Sequence, residues 1–161
     1  MTTLTEEHTT LTALEARLRR LEDQDAIWRL FQEYRRQLDR RDFAAYARLF
    51  TADGEWLGNL GTARGPAEIE QLLIRTLEGW SGESTAHLHL VDNAVVDVDV
   101  DAGRATAESA WVYITRDFSD NPVLSLIGHY RDVVVRTDAG WKFKRREAYL
   151  DFPYQALDLS G

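Results

Sequence analysis

Two histidines, His87 and His89, stand two residues apart in the apolar run TAHLHLVDN at residues 85–93. In an extended strand alternate side chains share a face, so both rings point the same way. Such a pair suits a metal centre, or a general base with a neighbour, or plain core packing. A metal centre needs further ligands. Asp92 and His129 are the candidates, and they leave the set short of a well-supported site. No metal is therefore expected. Nucleophilic chemistry has less support, because the chain has no cysteine and no serine in a Gly-x-Ser-x-Gly turn. Neither a phosphate-binding loop nor a dinucleotide fingerprint is present, so no cofactor is expected.

Acid–base chemistry remains. A histidine in a dry pocket works as a base when a carboxylate orients its ring and stabilises its charged form. The segment EYRRQLDRRDF at 33–43 supplies one. Tyr34 and Leu38 share a helical face, and Asp39 lies at the edge of that face, near the helix end. Asp39 is thus the candidate carboxylate. The alternative from spacing alone is a solvated aspartate in a charged LDRRD turn. Spacing does not choose between His87 and His89.

These residues have to be positioned by the elements around them. Residues 4–40 read as helix. Leu11, Leu14, Leu18 and Leu21 recur at three- and four-residue spacing, and Ile27, Leu30, Phe31, Tyr34 and Leu38 continue the stripe in a changed phase. The change suggests a bend near Glu22 to Asp25, with residues 1–22 as a helical arm. Asp42 is placed to cap a short helix, FAAYARLF. TADGEWLGNLG reads as turn, strand and turn. GPAEIEQLLIRTLEGW reads as a helix with Pro66 in its first turn. From His87 onward the pattern changes to strands, in four long segments separated by DAGR, SDNP and TDAG, which is an antiparallel meander. Helices first and strands afterwards make the class α+β. The expected form is a cone-shaped barrel of N-terminal helices packed on a curved, mainly antiparallel sheet, with a small-molecule pocket between the layers.

Composition narrows the partners. The chain has 161 residues, 44% of them apolar, which suits a single domain with a real core. Its formal net charge of -8 argues against a nucleic-acid surface. No apolar run has the length of a membrane span, and the start lacks the pattern of a signal peptide. A cytoplasmic protein is expected, with no nucleic-acid or membrane partner.

Taken together, IWRLFQEYRRQLDRRDFAAYARLFTADGEW, HLHLVDN and GHYRDVVVRTDAGWKFKRREAYL resemble the SnoaL-like branch of the nuclear transport factor 2-like superfamily. The resemblance spans residues 20–152 and implies the same cone. Its most similar members are cofactor-free lyases and isomerases: bile-acid dehydratase, hexachlorocyclohexane dehydrochlorinase, scytalone dehydratase and polyketide cyclases. In the first two, a Tyr/Lys-x4-Asp pattern on the first helix matches Tyr34 and Asp39. A catalytic histidine four residues before a frequent Asn selects His89, ahead of Asn93. The dehydrochlorinase arginine, five residues after the last-strand Trp, matches Arg146 after Trp141. Where the bile-acid enzyme has its arginine and a strand carboxylate, this sequence has Leu150 and Thr115.

The resemblance thus implies a dehydratase-, isomerase- or cyclase-like lyase acting on a small apolar or aromatic, polyketide-like ligand. His89 would be the base, Asp39 its orienting partner, Tyr34 a hydrogen-bond donor and Arg146 a stabiliser of negative charge. Arg146 shares strand parity with Lys142 and Lys144, opposite Trp141 and Phe143, so it faces the pocket only if a bulge intervenes. Trp56, Trp80, Trp111, Tyr130 and His87 are expected as walls. The alternative function is a non-catalytic binding or dimerisation module of the same fold. Apolar residues on both faces of the strand carrying Ala110 to Ile114 point to a homodimer or homotrimer.

Overall fold

The computed structural model describes residues 2–77 and 87–152. Three helices come first, interrupted by a hairpin: α1 (Thr2–Arg40), α2 (Phe43–Ala47), β1 (Phe50–Gly58), β2 (Gly61–Arg64) and α3 (Gly65–Leu77). Four long strands follow: β3 (Leu88–Asp99), β4 (Arg104–Arg116), β5 (Pro122–Thr137) and β6 (Gly140–Phe152). They form one sheet in the order β2-β1-β6-β5-β4-β3. Every pairing is antiparallel except β1 with β6, which is parallel. The class is α+β, and the short strand β2 is an addition to the expected elements.

Bulges curve the sheet. An extra residue bends a strand and increases its twist. The pairing slips between Asp92 and Val95 on β3, at Ser125 on β5, and at Lys144 and Asp151 on β6. The resulting hollow is filled by α1 and α3. Ile27, Phe31, Tyr34, Ile69, Leu73, Val134 and Phe143 are all essentially inaccessible to solvent. Each fully buried apolar side chain of this size contributes roughly 1.5–3 kcal/mol.

Helix α1 corrects one expectation. It runs unbroken through Glu22–Asp25. The phase change marks instead where the helix docks on the sheet. Before it, Leu11, Leu14, Leu18 and Leu21 are 51–62% exposed, and after it Ile27 and Phe31 are fully buried. The docking point is Asp23, itself buried. Its carboxylate accepts from the Trp141 indole N–H at 3.1 Å and from the Arg136 guanidinium.

Candidate active site

The site begins at the end of α1. Arg41 N–H donates to the Leu38 carbonyl and Asp42 N–H to the Gln37 carbonyl, each at 3.0 Å. This is the Schellman pattern, in which the residue after the cap adopts a left-handed conformation. Here that residue is Arg41, with φ of 58°. Glycine is usual there, and a side chain costs about 1–2 kcal/mol. Arg41 recovers about 0.5–1.5 kcal/mol by donating to the Leu77 carbonyl at the end of α3, at 3.2 Å. The same turn ends the helix with Asp39 in its last turn, facing β3.

Asp39 is anchored three ways. One oxygen, Oδ1, accepts from His89 Nδ1 at 2.7 Å and from the His89 backbone N–H at 3.1 Å. The other, Oδ2, accepts from Arg35 Nη1 at 3.2 Å. Both side chains are mostly covered, with 16% of His89 and 14% of Asp39 exposed. An ionised carboxylate only accepts, so the neutral ring carries its proton on Nδ1. The other nitrogen, Nε2, keeps a lone pair and has no hydrogen-bond partner among the described residues. The ring packs on Tyr113, centroids 4.5 Å apart, and lies 6.3 Å from the His87 ring.

His89 lines a cavity of about 150 Å³ between the helices and the sheet. An engineered cavity of about this volume takes up benzene. Trp56, Trp111, Tyr130, His87 and Tyr34 also line it, as does Leu150. Trp80 lies outside the described residues. Glycines make room for two of the walls. A Cβ at Gly58 would meet Trp56 Cη2 at 2.5 Å, and one at Gly128 would meet Trp111 Cε2 and Cζ2 at 2.5 Å.

Tyr34 sits at the centre of a phenol network. Its hydroxyl accepts from the Tyr46 hydroxyl at 2.5 Å and from Trp56 Nε1 at 3.2 Å. A phenol has two acceptor lone pairs and one proton. Both lone pairs are thus engaged, and the Tyr130 hydroxyl is a further hydrogen-bonding neighbour of Tyr34. Burial pushes the Tyr46 and Tyr130 phenols well above 10, and the neighbouring Tyr34 raises both further. These hydroxyls are therefore donors at neutral pH.

Arg146 does not reach the cavity lining. It does face inward, because the extra residue Lys144 reverses the parity of β6 after Phe143. It is fully buried, and its Nε and Nη2 donate to the two oxygens of Asp132 at 2.7 and 2.6 Å. Its guanidinium lies 4.0 Å from the Tyr34 ring centroid and 4.1 Å from that of Tyr130. Both rings line the cavity, and Arg146 packs behind them. Burial pushes the Asp132 carboxyl up, and Arg146 pulls it back only in part.

A third histidine, His129, takes no part in the site. His129 pairs with Tyr149 across the sheet and binds Asp151 at 2.9 Å, on the face opposite the cavity. It cannot join His87 and His89 around one ion. Thr115 bonds Ser125 at 2.5 Å across β4 and β5. Four residues escaped the sequence reading. Asp132 had a signal, an acid sharing strand parity with Tyr130 and Val134. Tyr46 and Tyr113 looked like ordinary core aromatics. Arg41 had no signal, since a left-handed arginine cannot be told from its neighbours in a charged turn.

The chain matches the SnoaL-like domain family over residues 19–147. No curated protein matches it. Among solved structures, an NTF2-like protein with a cystatin-like fold from Novosphingobium aromaticivorans is similar at a TM-score of 0.76 and 32% identity, covering 87% of this chain and 89% of that one. ActVI-ORFA from Streptomyces coelicolor is similar at 0.69 and 26%, covering 80% and 97%. A proposed scytalone dehydratase from Novosphingobium aromaticivorans is similar at 0.66 and 29%, covering 82% and 86%. The family match covers most of the chain, and the sheet and helices are those of its structural relatives: the chain belongs to the SnoaL-like domain family and has an NTF2-like fold.

Proposed function

We propose that the chain is a cofactor-independent lyase or isomerase that removes a proton from carbon in a small, largely apolar substrate. The carrying observation is the bond from His89 Nδ1 to Asp39, at 2.7 Å, on the wall of an apolar cavity. Nε2 of His89 takes the proton, and the C–H electron pair forms a double bond to the neighbouring carbon. In an elimination the leaving group departs with its own bonding pair. In an isomerisation the π pair of an adjacent carbonyl shifts onto its oxygen, and returns as the proton is delivered to another carbon. Asp39 fixes the tautomer and stabilises the imidazolium that forms. Tyr34 donates to the leaving oxygen or developing oxyanion. Trp56, Trp111, Tyr130 and His87 hold the apolar body. Arg146 and Asp132 set the position of the Tyr34 and Tyr130 rings.

One observation favours the second reading, a binding module without chemistry. Asp39 also accepts from the His89 backbone N–H, so the same carboxylate clips α1 to β3 structurally. Proton exchange separates the two readings. The bicyclic ketone 2-tetralone is incubated with the protein in D₂O, and deuterium uptake beside the carbonyl is followed by NMR. The enzyme reading expects uptake well above buffer, falling roughly 10²–10⁴-fold in His89→Gln. Uptake at the buffer rate, or uptake unaffected by His89→Gln, would leave only the binding module.

The exposed arm of α1 supports self-association. Leu11, Leu14, Leu18 and Leu21 follow a three-four-three spacing, the seam of a coiled coil. In a parallel pair Arg17 of one copy faces Glu22 of the other. A dimer through this arm is expected, and Leu14→Glu with Leu18→Glu should yield monomer in sedimentation velocity. A wild-type monomer, or a dimer indifferent to both changes, would rule the arm out.

A further inference from the structure

We propose that Arg41 is the ligand-recognition residue of the cavity, and that the ligand it selects is a small cyclic carboxylate. The ring enters the apolar interior and the carboxylate stays at Arg41. This rests on the reading that the cavity holds a ligand, and adds a charge to that ligand.

Three observations carry it. The first is the composition of the cavity wall. Among the described residues, it includes no aspartate or glutamate, and Arg41 is its one permanently charged side chain. The nearby carboxylate, Asp39, is already engaged by Arg35 and His89. The second is the hydrogen-bonding capacity of Arg41. A guanidinium has five N–H donors in a planar fork that matches a carboxylate. Among the described residues, only Nη1 is used, on the Leu77 carbonyl. Among the described residues, Arg41 has no carboxylate partner. The third is its reach into the cavity. Burial pushes the Tyr113 phenol up, while Arg41 pulls it down more strongly than Asp39 raises it. Arg41 is thus the charge felt foremost at Tyr113, whose ring packs on His89.

Capping the end of α3 is the competing explanation. It needs one donor and no charge. The overall charge of -8 strengthens the case. A protein of this net charge repels anions as a whole, so a cavity that admits one needs a local cation.

The test uses isothermal titration calorimetry with 2-naphthoate and 2-naphthamide, which differ in charge and little in shape. Wild type should bind naphthoate about 10-fold more tightly, the low end for a charge-assisted hydrogen bond. In Arg41→Gln, which loses the charge and is too short to keep the bond to the Leu77 carbonyl, the preference should vanish with at most about 0.5–1.5 kcal/mol of stability lost, roughly a 2- to 13-fold shift in the unfolding equilibrium. Arg41→Met, which loses that bond equally, should match it in both readouts. Arg41→Lys should keep part of the preference. Equal binding of the two probes by wild type, a preference that survives Arg41→Gln, or no binding of either probe would overturn the proposal. Equal binding leaves the His89 reading intact. Loss of ketone exchange with the naphthoate preference preserved would do the reverse.

Discussion

Replacing Asp132 with Asn should be among the most destabilising single changes in this protein. The substitution keeps the shape of the side chain and removes its charge. Arg146 would then be a cation with no counter-charge, fully buried among Phe31, Tyr34, Tyr130 and Phe143. Two charges about 4 Å apart interact by roughly 4 kcal/mol at an effective dielectric constant of 20. Breaking a buried pair from one side costs about 3–5 kcal/mol by experiment, so the two estimates agree. For a chain of this length that lowers Tm by roughly 6–20 °C. Arg146→Met should cost less at neutral or lower pH. The Asp132 carboxyl is already pushed up by burial, and without Arg146 it can take a proton, whereas an arginine cannot release one. The sign of the pH dependence follows. A group whose folded-state pKa is raised contributes stability that is full below its unfolded value and lost as pH rises through the folded one. Arg146→Met should therefore weaken progressively as pH rises. A double replacement, Asp132→Leu with Arg146→Met, should recover at least half of the loss in Asp132→Asn. Urea unfolding at several pH values measures all three. A loss under about 1 kcal/mol in Asp132→Asn, or equal losses in the two single variants, would refute the reasoning, since both values rest on an intact buried ion pair.

Two further outcomes test other parts of the structure. Burial raises the Glu147 carboxyl, but the Tyr149 hydroxyl and Arg145 outweigh it and hold the group below its usual 4.5. Its stabilising contribution is present above that value and is lost as pH falls through the lowered one. Urea midpoints between pH 6 and 3 should therefore decline less steeply in Glu147→Gln than in wild type, and equal slopes would contradict this. In Gly128→Ala the new Cβ would lie 2.0 Å from the Tyr149 carbonyl oxygen and 2.5 Å from the Trp111 ring. Such overpacking should cost about 3 kcal/mol, read as a fall in Tm of roughly 6–12 °C; an unchanged Tm would show that β5 and Trp111 yield freely.

Periodicity made the layers legible in the sequence, and parity did not survive the bulges. The stripe Ile27, Leu30, Phe31, Tyr34 and Leu38 faces the sheet as its spacing requires. Asp39 meets His89 because a helix end and a strand converge there. Arg146 shows what spacing cannot deliver. Its parity with Lys142 and Lys144 would place it outside, and one extra residue at Lys144 turns it inward. An extra residue leaves no mark in a two-residue alternation until the partner strand is known. The parallel pairing of β1 with β6 joins segments far apart in sequence, which no local signal records. Helix α1 shows a subtler limit. The change of phase near Asp23 was visible, yet it signals a change of environment rather than of backbone, because an exposed leucine stripe and a buried one have the same period.

The tautomer of His89 tests the central claim most directly. Base catalysis by this residue requires the proton on Nδ1, donated to Asp39, and a bare Nε2 toward the cavity. Two-bond ¹H–¹⁵N correlation NMR on ¹⁵N-histidine-labelled protein, above the pH at which the ring is charged, reads which nitrogen is protonated. The assignment of the His89 signal comes from comparison with His89→Gln. The expected result is a single neutral form with Nδ1 protonated and Nε2 unprotonated, and a mixed population in Asp39→Ala, where the fixing bond at 2.7 Å is gone. A wild-type His89 carrying its proton on Nε2, or a tautomer indifferent to Asp39, would contradict the account.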